Sequence, residues 1–190
     1  MVNKLTISII PFLSKPKEKL HLADLSRILN MPHPTLRLWL NSLVEEGILI
    51  KSSKGNLTMY QLNFEHPNLL DYIVIAEKIN LIRKCKKSLI LKELVDFIHK
   101  NTKEDILLFG SFTKNTKIAS DIDILFIDNK KDSTNSKLFQ NFSTKINKEI
   151  HLIEVHTMED VSPSLKKEII KKHLIINGTE NIIKWLLWDH

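Results

Sequence analysis

Apolar residues recur at helical spacing from Leu22 to Leu29, and Asn30-Met31-Pro32-His33-Pro34 breaks the pattern. A second helix is expected after this break, with Leu36, Leu40, Leu43 and Val44 on one face and Gly47 closing it. Ile48 to Lys51, a turn over Ser52 to Asn56, and Leu57 to Leu62 together predict a β-hairpin. Leu69, Leu70, Ile73, Ile75, Ala76, Ile79 and Ile82 then mark a long helix that opens at Pro67-Asn68 and ends in Arg83-Lys84-Cys85-Lys86-Lys87. A helix from Ser88 to about Lys100 precedes the apolar run Ile106 to Phe109, read as a strand. Asp121 to Ile127 alternates acid and apolar before turning continuously apolar, and is the next strand. Beyond the polar loop 129–136 the pattern predicts a helix over 137–147, a strand over 149–155, a helix over 165–172, a strand over 174–176 and a last helix from Thr179. Residues 4–14 alternate irregularly, and Pro11 argues against a long unbroken helix there.

This order predicts an α+β protein in three parts: a small helix-and-hairpin domain over 1–66, a linker helix with a basic end over 67–87, and a mixed sheet flanked by helices over 88–190. The chain has 190 residues, 43% of them hydrophobic, with a net charge of +6. Residues 1–66 and 67–104 each carry eight basic against five acidic side chains, and the remainder is balanced at twelve against twelve. The excess therefore lies away from the third part, and suggests a polyanionic partner for the first half. The basic cluster at 83–87 reads as a solvated face, a contact to a nucleic-acid backbone or a contact to an acidic partner. A single cysteine, Cys85, excludes an intramolecular disulfide framework and fits a reducing compartment. The apolar stretch Leu5 to Leu13 is too short to span a membrane and lacks a cleavage site, so a cytoplasmic protein is expected.

Two carboxylates two residues apart on a strand, Asp121 and Asp123, project from one face and repel unless a cation lies between them. Mg²⁺ is the natural candidate, with Mn²⁺ an alternative. Ahead of them Gly110-Ser111 ends a strand, where glycine permits close approach of a ligand and the amides and hydroxyl can bind phosphate. Phe109-Gly110-Ser111, a short spacer and Ser120-Asp121-Ile122-Asp123-Ile124-Leu125 resemble the signature of the DNA polymerase β-like nucleotidyltransferases, especially their minimal branch. The resemblance covers roughly 88–190. It implies that Asp121 and Asp123 hold the catalytic divalent metal, that Gly110, Ser111 and Ser120 belong to the nucleotide site, and that an NTP is the substrate. The branch commonly follows its Gly-Ser with an arginine and a glycine. Thr113-Lys114-Asn115 stands here instead, leaving Lys114 as a point charge for phosphate. The family also expects a third acid on a later strand, where alignment places His151. Glu149 shares the face of His151 and Glu154 lies on the other, so either glutamate serves or the site works with two acids. Glu149 is the preferred metal ligand. A glutamate beside the aspartates favours an enzyme, and His151 facing them favours a nucleotide sensor.

Residues 20–63 resemble a winged helix-turn-helix, through the helix-end segment Leu43 to Leu49 and the closing strand Tyr60-Gln61-Leu62-Asn63. That resemblance implies DNA contacts from Thr35, Arg37 and Asn41, with Lys51 and Lys54 of the wing on phosphate. Leu38 and Trp39 leave a dimer or partner interface open, since a fold does not fix its use. The reading is thus a nucleotidyltransferase acting on an unidentified hydroxyl acceptor, joined to a DNA-binding module. The alternative is a DNA-binding regulator whose second domain senses nucleotide or dimerises. Winged-helix modules linked to this superfamily occur in toxin–antitoxin-like pairs, so a protein partner is expected, as is a homodimer.

Overall fold

Leu36, Leu40 and Leu43 lie four and three residues apart, and all three are fully buried, which sets the inner face of the first helical pair. The computed structural model describes residues 7–128 and 134–188, so residues 4–6 of the first segment and 129–133 of the polar loop fall outside the described residues. The chain divides into two units, Met1–Ile79 and Asn80–His190.

In the first unit, α1 (Ile10–Leu13) is a single turn with Pro11 at its start, where the missing N–H is not needed. The strand β1 (Leu20–His21) follows, then α2 (Leu22–Leu29), α3 (His33–Glu45), β2 (Leu49–Lys54) and β3 (Leu57–Leu62). The His21 ring caps α2 by accepting from the Ala23 amide at 3.2 Å, and Asn30 ends it in the left-handed conformation. The three strands form an antiparallel sheet in the order β1-β3-β2. Two residues have no periodicity of their own, which is why β1 is invisible in the apolar pattern. The hairpin is also tighter than the polar run at 52–56 suggested: β2 continues to Lys54, which pairs with Leu57, so only Gly55 and Asn56 turn the chain. The long helix α4 (Leu69–Cys85) begins in this unit, where Leu69, Ile73 and Ala76 are buried, and ends in the next.

The second unit contains α5 (Leu89–Asn101), β4 (Asp105–Phe109), β5 (Asp121–Ile127), α6 (Thr134–Ile146), β6 (Glu149–Val155), α7 (Pro163–Lys171), β7 (His173–Asn177) and α8 (Thr179–Leu187). Its sheet runs β6-β5-β4-β7, with β5 and β6 parallel and the other pairs antiparallel. Ile106, Leu108, Ile122, Ile124, Phe126, Leu174 and Ile176 face α5 and α6 and bury themselves among Leu91, Leu94, Ile98, Phe139 and Phe142. Phe97 stacks on Phe142 at 4.2 Å between ring centroids, and Phe139 meets Phe97 and Phe126 edge-on. On the other face Leu125 and Ile127 are buried, and α8 lies against β4 and β7 with Ile182, Ile183 and Trp185 buried. Asp121 and Asp123 share that second face with Leu125 and Ile127 by the two-residue period, so the acids occupy its polar end. Among the described residues no helix is long and apolar enough to cross a membrane.

Candidate active site

β4 ends at Phe109, which pairs with Asp123 of β5, so the next residue turns directly beside that carboxylate. Gly110 has φ +71°, and a Cβ there would stand 2.3 Å from Asp123 Oδ2. Both the backbone conformation and the space therefore require glycine. The following loop folds back on itself: Thr113 Oγ1 donates to the Gly110 carbonyl at 2.9 Å, and the Lys114 and Asn115 amides donate to the Ser111 carbonyl at 3.0 and 3.2 Å. Lys84 Nζ donates to the Thr113 carbonyl and Lys148 Nζ to the Ala119 carbonyl, anchoring both ends of the spacer between the two motifs. One member of the basic cluster at 83–87 is thus a loop anchor.

The parallel pairing of β5 with β6 sets Glu149 opposite Asp121 and His151 opposite Asp123. His151 Nδ1 lies 3.5 Å from Asp121 Oδ2 and 3.4 Å from Asp123 Oδ1, while its Nε2 lies 3.2 Å from Glu149 Oε1. Ser120 Oγ donates to Asp121 Oδ1 at 3.1 Å. Burial pushes the Asp123 carboxyl up, the negative charge of Asp121 pushes it further, the hydrogen bond and charge of His151 pull it back, and Glu168 adds a smaller upward push. The His151 imidazole is raised chiefly by its hydrogen bond to Glu149, with the bond to Asp123 adding to it. Among the described residues Asp121, Asp123 and His151 gather their ligand atoms within 4.8 Å of one another. Glu149 stands outside that group, behind the ring.

Gly110 and Ser111 also line a cleft of about 620 Å³ with Ser164, Lys167, Glu168, Lys171 and Lys172. Ser162 caps α7 by accepting from the Leu165 amide at 3.3 Å, and Lys166 Nζ sits 4.9 Å over the Trp185 ring of α8. With Lys166 engaged there, Lys167 and Lys171, one helical turn apart, line the cleft beside the Gly-Ser turn. The amphipathic pattern of α7 was readable, but these lysines were not, because nothing local says which loop a helix face will meet. Lys114 is exposed and does not line the cleft.

In the first unit Thr35 and Arg37 are exposed on α3 and Lys54 is exposed at the hairpin end. Asn41 is half-buried, and its Oδ1 accepts from Lys51 Nζ at 3.2 Å and from the Tyr60 hydroxyl at 3.3 Å. Of the five residues nominated there, Asn41 and Lys51 are thus already bonded to each other.

Residues 92–181 match the family described as Polymerase beta, Nucleotidyltransferase, and this stretch of the second unit is a nucleotidyltransferase domain. No curated protein matches the chain. A chain from a crystal structure of the toxin–antitoxin pair MntA–HpeT, in a mutant form, is similar at 20% identity, covering 52% of this chain and 80% of its own, with a TM-score of 0.41.

Proposed function

We propose that the second unit transfers a nucleotidyl group from an NTP to a hydroxyl acceptor with the help of a divalent cation. The observation that carries this reading is the approach of Gly110 to Asp123, too close for any side chain, beside a lysine-lined cleft, within the matched residues 92–181. The donor set fits such a cation. Two carboxylates converge on one point with an imidazole, and the upward push on Asp123 is the strain a cation would relieve. Asp121 and Asp123 would hold the metal, which when bound orients phosphate oxygens and offsets the charge of the transition state. The Gly110-Ser111 turn would offer its amides and the Ser111 hydroxyl to the phosphates, with Lys167, Lys171 and Lys172 neutralising their charge. Gly110 keeps the phosphate-binding turn and the metal-binding carboxylate adjacent, so that one polyphosphate can reach both. Ser120 fixes one oxygen of Asp121.

We read the first unit as a winged helix whose α3 and hairpin address DNA through Thr35, Arg37, Asn41, Lys51 and Lys54. The order of α2, α3, β2 and β3 and the exposure of Arg37 and Lys54 support that reading. The position of His151, facing both aspartates, favours a second reading in which nucleotide is bound and sensed without transfer.

Transfer of α-labelled nucleotide into total RNA and protein, one NTP at a time, compares the wild type with Asp123→Asn. Label that depends on Asp123 is expected. Nucleotide binding that is metal-dependent but never followed by transfer would move the assignment to the sensor. Calorimetric binding unchanged in Asp123→Asn would remove both.

A further inference from the structure

The Asp-Asp-His group has a property that two aspartates alone lack: its third donor is a nitrogen. His151 Nε2 lies 3.2 Å from a carboxylate oxygen of Glu149 and donates its proton there, because a carboxylate only accepts. Nδ1 lies 3.5 Å from Asp121 Oδ2 and 3.4 Å from Asp123 Oδ1, and a protonated ring donates to the aspartates from this second nitrogen. A cation taking the place of that Nδ1 proton would meet one nitrogen and two carboxylate oxygens already gathered about one point. The separations suit a small ion: ligands about 2.1 Å from a tetrahedral metal stand roughly 3.4 Å apart. A carboxylate behind a ligating imidazole, fixing its tautomer and orientation, is the usual outer partner of a metal-bound histidine.

We propose that His151 is the third metal ligand, that Glu149 is its positioning residue rather than a ligand, and that this site therefore selects a late first-row divalent cation such as Co²⁺ or Zn²⁺ over Mg²⁺. Imidazole nitrogen raises affinity along the first-row series, whereas Mg²⁺ is best served by oxygen alone. The inference rests on the proposed metal-dependent site and names the class of ion that site takes. It also accounts for a histidine standing where the family pattern expects an acid, without loss of the metal.

Calorimetric titration of the full chain with CoCl₂ and, separately, MgCl₂, without nucleotide, tests it, with the visible Co²⁺ spectrum as a second readout. The wild type is expected to bind Co²⁺ more tightly than Mg²⁺, with absorption characteristic of nitrogen ligation. His151→Asp should narrow the ratio of the two affinities by at least about tenfold, by weakening Co²⁺ and strengthening Mg²⁺. Glu149→Gln should weaken Co²⁺ by less than His151→Ala does and leave the spectrum nitrogen-ligated. A wild-type spectrum that His151→Ala leaves unaltered, or a Co²⁺ to Mg²⁺ ratio unmoved by His151→Asp, would overturn the inference while leaving metal-dependent transfer standing. Absence of labelled product despite His151-dependent Co²⁺ binding would instead remove the transfer reading and keep the inference. A wild type that binds neither ion, even with nucleotide added, would remove both. Circular dichroism of each variant separates loss of binding from loss of fold.

Discussion

Two polar surfaces of this protein were nominated from the same kind of evidence, and they are built differently. In the second unit, residues from β4, β5, β6 and α7 surround one loop: Gly110, Asp121, Asp123, His151, Lys167 and Lys171 approach through strand register and helix placement. In the first unit, Thr35, Arg37 and Lys54 stand exposed on α3 and the hairpin, and Asn41 and Lys51 spend a hydrogen bond on each other. The first arrangement holds two carboxylates side by side and partly buried, so that burial and the charge of Asp121 push the Asp123 carboxyl up, which is a mark of a site built for chemistry. The second costs nothing to leave bare, as a surface that meets a partner through charge and shape can be. Convergence under strain separates the two better than residue type does.

The glycines sharpen that contrast most. Gly110→Ala would place a Cβ against Asp123 at a positive φ and is expected to abolish nucleotide and metal binding, read by calorimetry, with a loss of stability above the roughly 1 kcal/mol of the backbone strain alone. Gly55→Ala in the hairpin has φ +60° and nothing within 4 Å of the added Cβ, so only the strain of about 1 kcal/mol is expected, read as a shift in the urea midpoint. Equal effects of the two would break the comparison.

Next in size is the lysine face of α7. Lys171→Ala is expected to raise KM for NTP about tenfold, the weight of one charge-assisted contact, with kcat little changed. In the first unit Lys54→Ala should weaken binding of random DNA uniformly and lower the salt slope by about one, as one released phosphate contact would. Lys51→Ala should do less, because that ammonium is already shared with Asn41. Steady-state kinetics and electrophoretic shifts across a salt series check these.

The smallest effect concerns Asp105, on the far end of β4 from the site. Burial pushes its carboxyl up and the hydrogen bond from Asn181 pulls it partly back. A folded carboxyl with a raised pKa holds its proton longer than the unfolded chain does. Stability therefore falls as pH rises from about 4 through the folded value, and is regained on acidification. Asp105→Asn should flatten the urea midpoint over that window and leave nucleotide binding untouched.

The elements themselves were largely written in the apolar pattern. Alternation at 121–127 and the runs at 149–155 and 174–176 set strands where strands stand, because a two-residue period can bury one face only in an extended chain. The Gly110-Ser111 and Asp121/Asp123 motifs were equally legible, since each needs only its neighbours to be understood. What one sequence leaves open is which distant groups share a point. The parallel register of β5 and β6 set Glu149 opposite Asp121 and His151 opposite Asp123, and the placement of the ring brought His151 to both aspartates with Glu149 against its Nε2. The placement of α7 decided which lysines line the cleft, with Lys167, Lys171 and Lys172 on it and Lys166 over the Trp185 ring. Lys84 and Lys148, each 29 residues from the carbonyl it holds, became loop anchors for the same reason. Local period and turn chemistry determine elements through interactions a few residues apart. A site depends on contacts whose partners are set by the pairing of whole strands and helices, and that pairing exists only in the folded chain.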